Sequence, residues 1–208
     1  MISTSKIEKV KEHFRSRDGK IFSVLEGMGL EALMPQEDPG RYFAKLCREI
    51  IGQQLAGRAA DAIAGRFVKL FPKATPTPRR VMACSEDALR RTGMSWAKVR
   101  SVRDLALKTA KGELAFEKFS QLDDEAVIAE LAKVRGIGRW TAEMFLVFTL
   151  GREDVFSHGD LGLRKGLVRL YGKSRTRTRE HVGRIAAAWS PYRSYACLAL
   201  WHINDSQK

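Results

Sequence analysis

The sequence predicts an all-α protein. Apolar residues recur at three- and four-residue spacing along most of the chain, no stretch alternates long enough to make a strand, and proline- or glycine-marked breaks separate the periodic segments. Ile7, Val10 and Phe14 give the first helix one buried face. Asp38-Pro39 marks a helix start, and the paired stripe Tyr42/Phe43, Leu46/Cys47, Ile50/Ile51 follows it. Ile63, Phe67 and Leu70 continue the period to Phe71-Pro72. Residues 72–78, with three prolines and two threonines, then read as a connector. Val99, Val102, Leu105 and Ala106 mark a long amphipathic helix ending near Gly112. Val127, Leu131 and Val134 mark another that begins around Asp123. Beyond a Gly136-Ile137-Gly138 turn, Ala142, Phe145, Leu146 and Thr149 resume the period. Three further helices are expected over 160–171, 178–189 and 192–203. No internal repeat and no low-complexity tail interrupts the pattern.

Charge narrows the partners. The 37 Lys and Arg against 24 Asp and Glu leave +13 over 208 residues. Such a balance attracts polyanions, of which a DNA backbone is the densest common example; ribosomal and membrane surfaces can attract it too. Cys47, Cys84 and Cys197 lie far apart without a CxxC pair, so neither a zinc site nor an iron–sulfur cluster has its ligands. His13, His158, His181 and His202 show no metal-ligand spacing. Sparse cysteines suit a reducing compartment, and no signal-peptide core or membrane span is evident, so an intracellular protein with no membrane partner is expected.

The most specific local signal runs from Leu131 to Ala142: an apolar helix, a Gly-Ile-Gly turn, then a second helix. Glycines at 136 and 138 let the backbone turn sharply and come close to a ligand, since neither carries a Cβ. Ile137 can plug the gap where the helices meet. The second helix then presents its first N–H groups and the positive end of its dipole, flanked by Arg135 and Arg139, which suits a phosphate. Such a grip holds a DNA backbone and reads no sequence. A glycine turn between two core helices is the plainer alternative; the basic flanks and the net charge favour the phosphate grip.

Three stretches are informative: Glu49-Ile-Ile-Gly-Gln-Gln-Leu55 with Ala59-Ala60, Val134-Arg-Gly-Ile-Gly-Arg-Trp-Thr-Ala142, and Asp154-Val-Phe-Ser-His-Gly-Asp-Leu-Gly162. Together they resemble the helix-hairpin-helix DNA glycosylase superfamily, and within it the 3-methyladenine DNA glycosylase II branch. The tail Pro191-Tyr-Arg-Ser-Tyr-Ala196 with Trp201 is similar to the same branch. The resemblance covers about residues 40–203. It implies two helical lobes with an active-site cleft between them, residues 38–152 forming one and residues 1–37 with 153–208 the other. The β-rich N-terminal domain of some relatives is not expected, because helical pattern begins almost at Met1.

By the same resemblance Asp160 is the catalytic aspartate. Breaking an N-glycosidic bond leaves positive charge on the sugar, and a buried carboxylate facing it can stabilise that charge and orient the attacking water. The nucleotide must first leave the stack. An Asp at a helix start is also an ordinary N-cap, and the two roles can coexist. Trp140 stands where the bifunctional members carry their Schiff-base lysine, so a monofunctional enzyme without lyase activity is expected. Trp140 and Trp201 are candidate walls for a cationic alkylated purine. Met144 occupies a position where some relatives place a tyrosine facing the base, and Ser157-His158-Gly159 departs from their commoner wording. Gln54, or else Gln53, matches the loop that fills the hole left by the flipped nucleotide. The hairpin carbonyls of Ala132, Val134 and Gly136 match those that hold a monovalent cation in relatives; no other cofactor is implied. The expected partner is duplex DNA carrying a damaged base, bound by a monomer. Two other readings stay open: a non-catalytic DNA-binding module, and a glycosylase for deaminated or oxidised bases.

Overall fold

The computed structural model describes residues 4–30 and 38–205; residues 1–3, 31–37 and 206–208 of the expected second lobe lie outside the described residues. The fold is all-α: among the described residues there is no strand. The helices are α1 Thr4–Arg17, α2 Gly19–Glu26, α3 Pro39–Gly52, α4 Gly57–Lys69, α5 Pro78–Ala83, α6 Glu86–Arg91, α7 Trp96–Ala110, α8 Asp124–Ala132, α9 Arg139–Phe148, α10 Leu161–Tyr171, α11 Arg179–Ala187 and α12 Arg193–Asp205. Short 3₁₀ turns at Pro72–Ala74 and Phe116–Gln121 complete them.

The chain forms two compact units. Asp38–Phe145 makes one, and the described residues of Met1–Glu37 and Leu146–Lys208 make the other. The change of unit falls inside α9, not after residue 152. The last turn of α9 belongs with the second unit because its Phe148 ring lies 5.2 Å from that of Trp201.

Each unit has its own core. In the first, Leu46 and Ile50 of α3, Val99, Val102 and Leu105 of α7, and Leu131 of α8 are fully buried. Tyr42 and Phe119 pack edge-on against Phe145. In the second, the expected face of α1 (Ile7, Val10, Phe14) is buried with Ile21 and Leu25 of α2. The centre of this unit is α12, where seven consecutive residues from Ser194 to Leu200 are buried. A helix covered all round needs close neighbours. Gly166 of α10 supplies one approach, for a Cβ there would meet the Leu200 carbonyl at 2.6 Å.

Departures from the sequence reading are local. Leu70, read as the end of an apolar face, is 41 % exposed, because α4 ends at Lys69 and Leu70 is its C-cap. Hydrophobic period does not reveal helices α2, α5 and α6 or the 3₁₀ turn at Phe116–Gln121. They hold six to eight residues each, too few for a period to repeat. Side-chain caps from Asp18, Thr77 and Ser85 start the three helices.

Candidate functional site

The hairpin is assembled on α7. Gly136 has φ +79°, and a Cβ on it would meet Ser101 Oγ at 2.5 Å, so this glycine is required twice over. One turn further along α7, Asp104 Oδ2 accepts the backbone N–H of Arg135 at 2.7 Å and holds Lys108 Nζ at 2.8 Å. Partial burial pushes the Asp104 carboxyl up. The Lys108 ammonium and the Arg135 N–H more than offset that and hold it below its ordinary value. Ile137 is buried, as a plug between the two helices should be. Gly138 differs from Gly136: its φ lies outside the left-handed region, and a Cβ would meet nothing within 4 Å. The fold therefore does not require glycine at 138, although the sequence reading gave both glycines to the turn.

Lys98, one turn before Ser101 on the same face of α7, donates 2.8 Å hydrogen bonds to the carbonyls of Ile51 and Gln53. These carbonyls end α3, where intrahelical donors run out. Burial lowers the Lys98 pKa. The Gln53 side chain turns inward and donates from Nε2 to the Gly136 carbonyl at 2.9 Å and to Thr141 Oγ1 at 3.2 Å. Lys98, Ser101 and Asp104 thus bind the loop after α3 and the hairpin into one assembly, none of which hydrophobic periodicity could reveal. Gln54 follows at φ +59°, exposed, with Leu55 37 % exposed beside it. Of the two glutamines, Gln53 is engaged with the hairpin and Gln54 projects.

The two arginines at the hairpin also divide. Arg139 is held by Glu125 and, at 2.9 Å, by the buried Glu143; the hydrogen bond it donates to Glu125 is the main cause of its raised pKa. Arg139 is the donor in these contacts and both carboxylates accept, so its charge is already shared within the protein. Arg135 is exposed and makes no side-chain ion pair among the described residues. Trp140 exposes 45 % of its surface, whereas Met144 is buried.

Asp160, in the other unit, is 7 % exposed and N-caps α10. Its Oδ1 accepts the Leu163 N–H at 2.7 Å and the Trp201 Nε1–H at 3.1 Å. Here the structure brings together two residues that stand 41 positions apart in the sequence. It does so through Gly162, whose Cβ would stand 3.0 Å from both Asp160 Oδ1 and Trp201 Cδ1, while the Gly162 carbonyl accepts Asn204 Nδ2 at 2.6 Å. Gly159 has no such role: its φ is ordinary and a Cβ would fit. The segment before Asp160 is laced to the start of α12. Asp154 accepts from Arg193 Nε at 2.7 Å and from Ser190 Oγ at 2.8 Å, and Ser194 Oγ accepts the Val155 N–H at 3.0 Å and donates to the Arg152 carbonyl at 2.6 Å. Two motifs distant in sequence are therefore one structure. Phe148, 42 % exposed against Trp201, adds an aromatic surface that the sequence reading missed.

With a glycine hairpin on one unit and a capped, nearly buried aspartate on the other, the family comparison is decisive. Residues 47–191 match the model of the HhH-GPD superfamily base excision DNA repair protein. The chain belongs to this superfamily. Its HhH-GPD relatives include the DNA-3-methyladenine glycosylase 1 of Schizosaccharomyces pombe, 32 % identical over 81 % of this chain and 73 % of that protein. Among solved structures, the DNA-3-methyladenine glycosidase from Bacillus halodurans has a TM-score of 0.78 at 35 % identity, covering 93 % of this chain and 87 % of that one. The Schizosaccharomyces pombe 3-methyladenine DNA glycosylase in complex with abasic DNA has a TM-score of 0.81 at 29 % identity, covering 95 % and 97 %. The HhH-GPD fold accounts for the all-α architecture of the described residues.

Proposed function

We propose that the protein is a monofunctional DNA glycosylase that flips an alkylated purine out of duplex DNA and hydrolyses its N-glycosidic bond. The observation that carries the reading is Asp160, a nearly buried carboxylate held by the Leu163 and Trp201 N–H groups at 2.7 and 3.1 Å in a base excision repair fold. Both donors are on Oδ1, and together they fix the group before any charge develops, which is what stabilising a transition-state cation requires. An N-alkylated purine already carries positive charge and leaves readily, so little acid catalysis is needed, and Asp160 orients and deprotonates water as the sugar becomes cationic. Aromatic faces suit that cation, and Trp201 and Phe148 offer them in the unit that holds Asp160. The names of relatives in two kingdoms of life, yeast and bacterium, support 3-methyladenine among the substrates.

Gln54 is the wedge in this reading, and the hairpin N–H groups with Arg135 grip the strand. Trp140, at the position of the bifunctional members' lysine, supplies no amine for a Schiff base. The carbonyls of Ala132, Val134 and Gly136 are the groups that would hold a monovalent cation in this reading. Val134 and Gly136 each already accept one N–H, at 3.0 and 2.9 Å, and a carbonyl keeps a second lone pair. Bound there, such an ion would add positive charge beside a phosphate. The experiment is base release from duplexes carrying a panel of defined lesions: release of alkylated purines supports the reading, and release of only deaminated or oxidised bases overturns the substrate class.

A further inference from the structure

A cavity of about 530 Å³ opens beside the far end of α10, with Tyr171, Ile185 and Ala188 as its apolar wall. Asp160 caps the first turn of this eleven-residue helix and Tyr171 closes the last, so the cavity stands about 16 Å from the aspartate along the helix. It is within the size range of small-ligand sites.

Its polar groups are unusual in being uncommitted. Arg175, Arg184, Ser174 and His181 line it. Neither guanidinium makes an ion pair or hydrogen bond among the described residues, although Arg103, Arg139 and Arg193 all have carboxylate partners. His181 Nδ1 is buried without a hydrogen-bond partner, which a folded protein rarely leaves uncorrected. The one carboxylate at the cavity, Asp18, is fully used: Oδ1 accepts the N–H groups of Lys20 and Ile21, and Oδ2 accepts Tyr171 Oη at 2.5 Å and Trp189 Nε1 at 2.8 Å. It caps α2 and, among the described residues, forms no ion pair with either arginine, so the lining sets two guanidiniums against one carboxylate. Two unpaired guanidiniums, a hydroxyl and an orphan imidazole nitrogen over an apolar wall match the chemistry of a phosphate ester with a ring attached.

We propose that this cavity is a second binding site, for a phosphate-bearing ligand, separate from the site at Asp160. The phosphate can come from a free nucleotide or from a DNA strand. The probe is deoxyadenosine 5′-monophosphate titrated calorimetrically into the full chain, with deoxyadenosine as the control lacking the anion. The expected result is saturable binding of the monophosphate and none of the nucleoside. Arg175→Ala/Arg184→Ala should weaken monophosphate binding about tenfold or more at unchanged melting temperature, because both side chains are exposed. The His181 ring resonances should move on titration. Displacement of bound monophosphate by undamaged duplex assigns the phosphate to the strand, and retention assigns it to a free ligand. No saturable binding below about 10 mM, or binding indifferent to the double substitution, overturns the proposal.

Discussion

A methyl group on Gly162 would stand 3.0 Å from both Asp160 Oδ1 and Trp201 Cδ1. Gly162→Ala should therefore push the indole off the aspartate and cost about 1–3 kcal/mol, the usual penalty of overpacking. For a chain of this size that lowers the melting temperature by several degrees. Gly159→Ala, with room for its Cβ, should leave stability unchanged, and a melting experiment on the pair checks the contrast. Gln54 behaves in the opposite sense. Its φ of +59° is strained for a residue with a Cβ, so Gln54→Gly should stabilise the fold by about 1 kcal/mol. The same change should abolish base extrusion, read by a fluorescent base analogue, if Gln54 is the wedge. Extrusion unchanged in Gln54→Gly would remove it from that role. Family motifs single out Asp160, Trp201 and Gln54 in the sequence, and the structure adds the Asp160–Trp201 hydrogen bond. The role of Gly162 was not legible there, because a close approach between two helices leaves no local pattern.

Among elements, α7 is the support on which the hairpin rests. Gly136→Ala should be destabilising, since the backbone is left-handed and Ser101 Oγ blocks the Cβ. Gly138→Ala should fold normally yet weaken binding to damaged and undamaged duplex alike, because a phosphate grip carries no base information. Affinity measured on a still-folded Gly138→Ala protein tests this directly, and normal affinity removes the hairpin from the DNA interface. Lys98→Met keeps the apolar stem and leaves the Ile51 and Gln53 carbonyls without their ammonium, at a cost of about 1–3 kcal/mol. It should reduce extrusion through the loosened loop. The Asp104 anchor has a lowered pKa, so its stabilisation is intact above the ordinary value of 3.8 and is lost as pH falls through the lower folded value. The long helices announced themselves by period. The short ones did not, because six to eight residues repeat no period, and the polar face Lys98–Ser101–Asp104 did not, because its partners lie tens of residues away.

At the scale of the whole molecule, the net charge of +13 pointed to a polyanion, and the family match gives that charge a purpose in DNA repair. Binding to duplex should weaken with salt at a log–log slope of roughly −0.9 per phosphate neutralised. Abasic product should accumulate without strand scission, and efficient borohydride trapping of an enzyme–DNA adduct would contradict the monofunctional reading. The all-α class was legible from periodicity and the absence of alternation, whereas the passage between units inside α9 was not, because a helix keeps its period across it. In the proposed reaction Asp160 stabilises charge formed only in the transition state. Single-turnover release of 3-methyladenine from alkylated duplex, measured for the wild type and for Asp160→Asn at matched DNA affinity and melting temperature, tests it most directly. Release should be slower by orders of magnitude in the variant; release at the wild-type rate would remove Asp160 from the chemistry.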